Sequence, residues 1–334
     1  MTPPKSFNDV RPHIPKTPQR FVDQFRLSIR TRGLSYATEK TYVHWVLRYI
    51  RFHRMAHPEK LDAAAVSAFL NDLAQRQHCS PGTQRIALNA LVFLYSKHLN
   101  APFEKLAFTY ARRAPRAPSV FTHAEAMKVI DNLGGQDRLA AGLMYGAGLR
   151  LNETLTLRLK DIDFAAQQIT IRNGKGQKDR FTLLPASLVI DLEAQIEQVA
   201  RLHQYDLSRG YGDVYLPDAL ERKFPKAGMQ LAWQFLFPAN GIGVDPRSGV
   251  MRRHHRHSST VQRAVRLAIQ KSGFPRRASC HTFRHSFATR LIETGYDIKL
   301  VQSLLGHRDI RTTEIYLHVV RNRAGAIKSP VDLG

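Results

Sequence analysis

Near the C-terminal end, the run from Cys280 to Val319 spaces out side chains that could handle a phosphodiester. His281 and Arg284 lie three residues apart, so on a helix they share a face. Leu304-Leu305-Gly306-His307 reads as an apolar turn that ends a helix and presents a histidine. Tyr316 follows in a short helical run. Cutting a phosphodiester takes cations on the non-bridging oxygens, a nucleophile, a base for it and an acid for the leaving oxygen. Arg284 offers a planar fork that fits two phosphate oxygens. His281 and His307 titrate near neutrality and can move protons. Tyr316 is a weak nucleophile at its free pKa of ~10 and needs such neighbours.

Further cations stand upstream. Arg150 follows a glycine turn directly and opens a helix, whose backbone N–H groups already favour an anion. Gln167 to Ile171 and Arg180 to Leu184 alternate as strands do. Between them a glycine-rich hairpin tip carries Lys175 and Lys178. A lysine on such a tip can reach a DNA groove and give a proton to a leaving oxygen, or simply touch phosphates.

Composition points to the same kind of partner. Lys and Arg number 50 against 27 Asp and Glu, a formal charge of +23 and a pI near 10.4, which suits a polyanion. No apolar run approaches the ~20 residues of a membrane-spanning helix. The first residues carry charge and prolines but no apolar signal core, so a cytoplasmic protein with a flexible N-terminus (1–17) is expected. The cysteines, Cys79 and Cys280, indicate neither a disulfide framework nor a cysteine zinc site.

The elements that must position these groups fall into two domains. Residues 18–107 read as a helical bundle. Phe21, Phe25 and Ile29 recur at helical spacing, as do Tyr42, Trp45, Val46 and Tyr49; Ser35, Asp62 and Ser80-Pro81 open helices. Residues 108–121 are a basic, proline-bearing linker in which Arg112, Arg113 and Arg116 suit a phosphate backbone. Thr122 and Glu125 form a capping box that starts the second domain, 122–320. Helices are expected over His123–Asn132, Asp137–Tyr145, Ala186–Leu202 and Thr260–Lys271. Residues 207–240 form an aromatic and basic segment with Arg222, Lys223 and Trp233, of the kind that stacks unpaired bases. Arg252, Arg253, His254 and His255 then read as DNA contacts, the histidines lacking the cysteine or acidic neighbours of a metal site.

The ordered set Gly-Leu-Arg150-x-x-Glu153, His281-x-x-Arg284, Leu-Gly-His307 and Tyr316 resembles the signature of the tyrosine recombinases, the phage-integrase family. Within it, Leu216-Pro217-x-Ala219-Leu220-x-Arg222-Lys223, Trp233 and Phe237 look like the insertion that marks the integron integrases. The resemblance spans roughly Pro18 to Asp332. It implies a mainly α chain with a small antiparallel β-sheet: an N-terminal helical, SAM-like core-binding domain and a C-terminal mixed α/β catalytic domain with an integron-type insertion. It implies Tyr316 as nucleophile, Arg150 and Arg284 on the phosphate, His307 orienting an oxygen and His281 as base or hydrogen-bond partner. The acid falls at Lys175, with Lys178 in reserve, and Glu153 is a buttress.

The resemblance further implies no metal or nucleotide cofactor and four subunits on DNA. The tail, 321–334, would dock on a neighbouring subunit. The substrates would be a duplex attachment site and a folded single-stranded cassette hairpin, in the bacterial nucleoid. A generic recombinase on duplex sites, a relaxing topoisomerase and a non-enzymatic DNA-binding regulator stand as alternatives.

Overall fold

The computed structural model describes residues 10–103, 106–111, 119–172, 179–216, 218–307 and 309–321. Two compact units divide them, each with its own core. Lys175, Lys178, Arg112, Arg113, Arg116 and the tail beyond Arg321 lie outside the described residues.

The N-terminal unit holds α1 (Phe21–Thr31), α2 (Tyr36–Phe52), α3 (Ala63–Gln75) and α4 (Pro81–Phe93), the last running on through a π turn at Leu94–His98. The side chains of Ser35, Asp62 and Ser80 each accept a backbone N–H three residues on, and each such cap stabilises its helix by about 1 kcal/mol. Phe25, Ile29, Val46, Tyr49, Phe69, Leu70 and Leu91 build the core. The stretch expected to begin the linker is tied to this bundle: Gln84 donates to the Thr109 carbonyl at 2.7 Å and accepts from Ala111 N at 2.9 Å.

The C-terminal unit begins with α5 (His123–Asp131), opened by the Thr122–Glu125 capping box, then α6 (Gly135–Gly146) and the short α7 (Leu151–Leu155). Strands β1 (Ile162–Asp163), β2 (Gln168–Ile171) and β3 (Arg180–Leu183) form an antiparallel sheet in sequence order, with Thr170 opposite Phe181. Ile169, Ile171 and Thr182 face the core, whereas Phe181 and Leu183 face out, as alternation requires. The long helix α8 (Val189–Ser208) begins after a 3₁₀ turn at Ala186–Leu188 and runs into the start of the expected insertion.

The insertion is folded onto the unit rather than looped out. It contains α9 (Asp218–Lys223), and buried Gln234 donates to the carbonyls of Gly212 and Gly228, both at 3.0 Å. Leu236 N donates to Leu157 O at 2.8 Å, pinning the far end. A separate hairpin, β4 (Pro238–Val244) and β5 (Met251–His255), leads to α10 (Ser258–Lys271).

The last helices are α11 (Cys280–Glu293), α12 (Ile298–Leu305) and α13 (Arg311–Arg321). Helix α11 packs against α5, α6, α12 and α13, so most of its surface is interior. Burying Phe283 alone, fully enclosed, stabilises by about 1.5–3 kcal/mol. Among the described residues no helix is long and apolar enough to cross a membrane.

Candidate active site

Glu153 is the hub. It lies in the first turn of α7, where its carboxylate accepts the Arg150 backbone N–H at 2.9 Å and the Arg150 guanidinium at 2.6 Å. Arg180, on β3, donates to both of its oxygens at 3.0 and 2.7 Å, and Arg284 approaches to 3.8 Å. Burial disfavours the charged carboxylate, but the bonds and charge of Arg180 and Arg150 prevail and hold Glu153 down to about 2. One anion thus gathers three guanidinium groups, as a buried charge must be paired to persist.

Arg284 sits inside α11, almost fully buried. It donates to the Gly148 and Leu305 carbonyls, both at 2.5 Å, and approaches His307 Nε2 at 3.2 Å. Gly148 makes room: its φ is +67°, and a Cβ there would stand 2.4 Å from the Phe287 ring. Gly306 does the same at the end of α12, where a Cβ would lie 2.6 Å from Arg180 Cδ. The left-handed turn at Gly306 hands His307 to the cluster.

His307 Nδ1 lies 2.9 Å from the hydroxyl of buried Thr313. Since Arg284 can only donate, Nε2 accepts, and the ring proton sits on Nδ1, facing Thr313. Burial, then the charges of Arg284, Arg150 and Arg180, push His307 down to about 4.

Tyr316 is 1% exposed, packed with Phe287, Ala288, Val301 and Leu305. Burial raises the pKa of its phenol, while the charges of Arg284 and Arg150 pull it back down. The side chain on its hydroxyl is His285, whose Nδ1 is 2.8 Å away. His281 lies one turn earlier on α11, exposed, with its ring 6.4 Å from that of His285. The fold therefore assembles Arg150, Arg284, His307 and Tyr316 at one place, with His281 at its edge.

Three members of this cluster carried no signal in the sequence reading: Arg180, His285 and Thr313. Arg180 stands at the inner end of an alternating strand, where an arginine ought to have prompted a search for an acidic partner.

The expected DNA contacts divide. Arg222 and Lys223 are exposed on α9. Trp233 is half-buried, with Lys160 Nζ 2.9 Å from its ring centre and Arg158 bonded to its carbonyl at 2.6 Å. The His254 and His255 rings lie tilted with centres 4.0 Å apart, and both meet the Phe235 ring edge-on. Arg252 and Arg253, expected on the DNA-facing surface, are enclosed instead. Both are buried; Arg253 pairs with Asp206 through bonds of 2.6 and 2.8 Å, and Arg252 meets Asp213 at 3.3 Å. Their guanidinium groups join β5 to α8 and the insertion, because a buried arginine must spend its donors internally. Among the described residues no group of three or more His, Cys, Asp or Glu side chains gathers as a metal site would.

Residues 119–323 match the phage integrase family, and residues 21–105 match the family's N-terminal SAM-like domain. The chain belongs to the phage integrase family. It is a site-specific tyrosine recombinase. An integrase/recombinase of Escherichia coli is 44% identical to this recombinase over 314 residues, covering 94% of this chain and 93% of the relative. The tyrosine recombinase XerA of Thermococcus kodakarensis is 27% identical over 306 residues, covering 90% and 92%. The fold is shared with the XerH site-specific recombinase bound to difH before cleavage (TM-score 0.60, 20% identity, 93% of this chain and 85% of that one).

Proposed function

We propose that the recombinase cuts DNA by attack of Tyr316 on a phosphate held by Arg150 and Arg284. The products are a 3′-phosphotyrosyl link and a 5′-hydroxyl. The observation that carries this reading is the shared cluster: Glu153 holds Arg150 and approaches Arg284, Arg284 touches His307, and both arginines act on the Tyr316 phenol. The two guanidinium groups offset charge on the pentavalent phosphorus, and His307 orients a phosphate oxygen. Lys175, or else Lys178, protonates the leaving 5′ oxygen. The covalent link keeps the bond energy for rejoining, so the cycle needs no cofactor. Strand exchange uses four subunits.

For the substrate we propose integron sites: a duplex attachment site and a cassette site folded as a single-stranded hairpin. The insertion favours this over duplex sites alone, since it presents a partly open Trp233 flanked by Lys160 and Arg158, and exposed Arg222 and Lys223. Aromatic faces beside cations are suited to unpaired bases.

The chemistry is tested by mixing the protein with an integron attachment-site duplex nicked next to the scissile phosphate. A denaturation-resistant protein–DNA adduct is expected; a non-enzymatic regulator gives none. The substrate is tested by comparing hairpins with and without bulged bases. Tighter binding of the bulged hairpin, weakened by Trp233→Ala, supports the integron reading, and equal binding returns the protein to duplex sites.

A further inference from the structure

Among the described residues, the side chain bonded to the Tyr316 hydroxyl is not the one that the sequence pattern offers as its base. His285 follows Arg284 in the second turn of α11, and its Nδ1 meets the phenol at 2.8 Å, with ring centres 5.6 Å apart. Burial, then the charges of His281 and Arg284, push His285 down to about 4, so at neutral pH the ring is uncharged. A phenol can donate or accept; where Tyr316 donates, its proton points at the bare Nδ1 of the neutral ring, the ring proton sits on Nε2, and Nδ1 is open to a proton.

We propose that His285 is a catalytic residue, the base that takes the proton of Tyr316 as its oxygen attacks phosphorus. This rests on the reading of Tyr316 as nucleophile. The phenolic O–H bond breaks and its proton passes to Nδ1, giving an imidazolium. The phenolic oxygen bonds to phosphorus, and the phosphorus–O5′ bond breaks as that oxygen takes a proton from the acid. On rejoining, the 5′-hydroxyl attacks, the phenolate leaves, and His285 returns its proton. The arriving phosphate offsets the nearby guanidinium charge, so His285 becomes more basic when the substrate is in place.

The test is single-turnover cleavage of the nicked attachment-site duplex by wild type, His285→Ala and His285→Asn. A second duplex carries sulfur in place of the scissile 5′-bridging oxygen. The asparagine Oδ1 can accept the phenol's hydrogen bond but cannot take its proton, so Asn separates placement from base catalysis. Both variants are expected to form adduct about 10²-fold more slowly or worse, with DNA binding and melting of the Asn form near wild type. Sulfur leaves without an acid, so the sulfur duplex is expected not to restore their rate. Wild-type speed in His285→Asn, or rescue by sulfur, overturns the proposal. An adduct that survives Tyr316→Phe, or is missing from wild type, instead brings down the nucleophile reading on which it rests.

Discussion

Arg180 closes on both carboxylate oxygens of Glu153, at 3.0 and 2.7 Å, and its Nε donates to the Leu304 carbonyl at 3.0 Å. This arginine ties β3 to α7 and to the end of α12, the elements that deliver Arg150 and His307. It is the clamp that sets the distance between Arg150 and His307.

Removing Arg180 takes two charge-assisted bonds from Glu153 and leaves the carboxylate to Arg150, with Arg284 at 3.8 Å. Arg180→Ala is expected to cost about 1.5–3 kcal/mol of stability and to slow adduct formation more than ~10-fold. Arg180→Lys keeps the charge but loses the fork, and should fall between Ala and wild type. Thermal unfolding and single-turnover cleavage measure the two effects.

Stability should fall with acid in two stages. His285 and His307 stand at about 4 in the fold, against about 6.5 when unfolded. Between those values the unfolded chain binds more protons, so their contribution is complete above about pH 6.5 and is lost as pH falls toward 4. Glu153 stands at about 2 in the fold, against about 4.3 when unfolded, and its contribution is lost as pH drops from there toward 2. Chemical denaturation across pH 7.5 to 4 checks the first stage, and His307→Asn should flatten it.

Gly306 and Gly148 test the close approach of backbone to site. Gly306→Ala meets a φ of +62° and pushes a methyl group against Arg180. A loss of more than about 1 kcal/mol is expected, with slower cleavage. Gly148→Ala meets the Phe287 ring instead and should lower melting further, since an aromatic in the core cannot swing aside.

With a charge of +23, binding to DNA should weaken steeply in salt. If the protein neutralises about six phosphates, affinity falls about 10³-fold between 50 and 200 mM salt. A fluorescence titration over that range gives the slope, and a flat response would disconnect the charge from DNA.

Local features were legible in the sequence. The Thr122–Glu125 box, the caps at Ser35, Asp62 and Ser80, the stop at Gly306 and the strand alternation around Ile169 are written within a few residues, and each forms. The ordered Arg150, His281–Arg284, His307 and Tyr316 set spans far more chain, and pointed to one site only through its resemblance to the tyrosine-recombinase signature. What stayed hidden depends on partners far apart in the chain. Arg253 reads as a basic surface residue until Asp206, at the other side of the insertion, is seen to enclose it. Arg180 has the same relation to Glu153. His285 went unmarked because only the packing of α13 on α11 brings the Tyr316 phenol to it rather than to His281.

The direct measurement is the identity of the linked residue. The adduct formed on a nicked duplex is digested with trypsin, and the peptide carrying nucleotide is sequenced by mass spectrometry. A phosphotyrosyl bond at Tyr316 is expected, in the peptide spanning Thr312–Arg321. A link at any other residue, or an adduct unchanged in Tyr316→Phe, would contradict it.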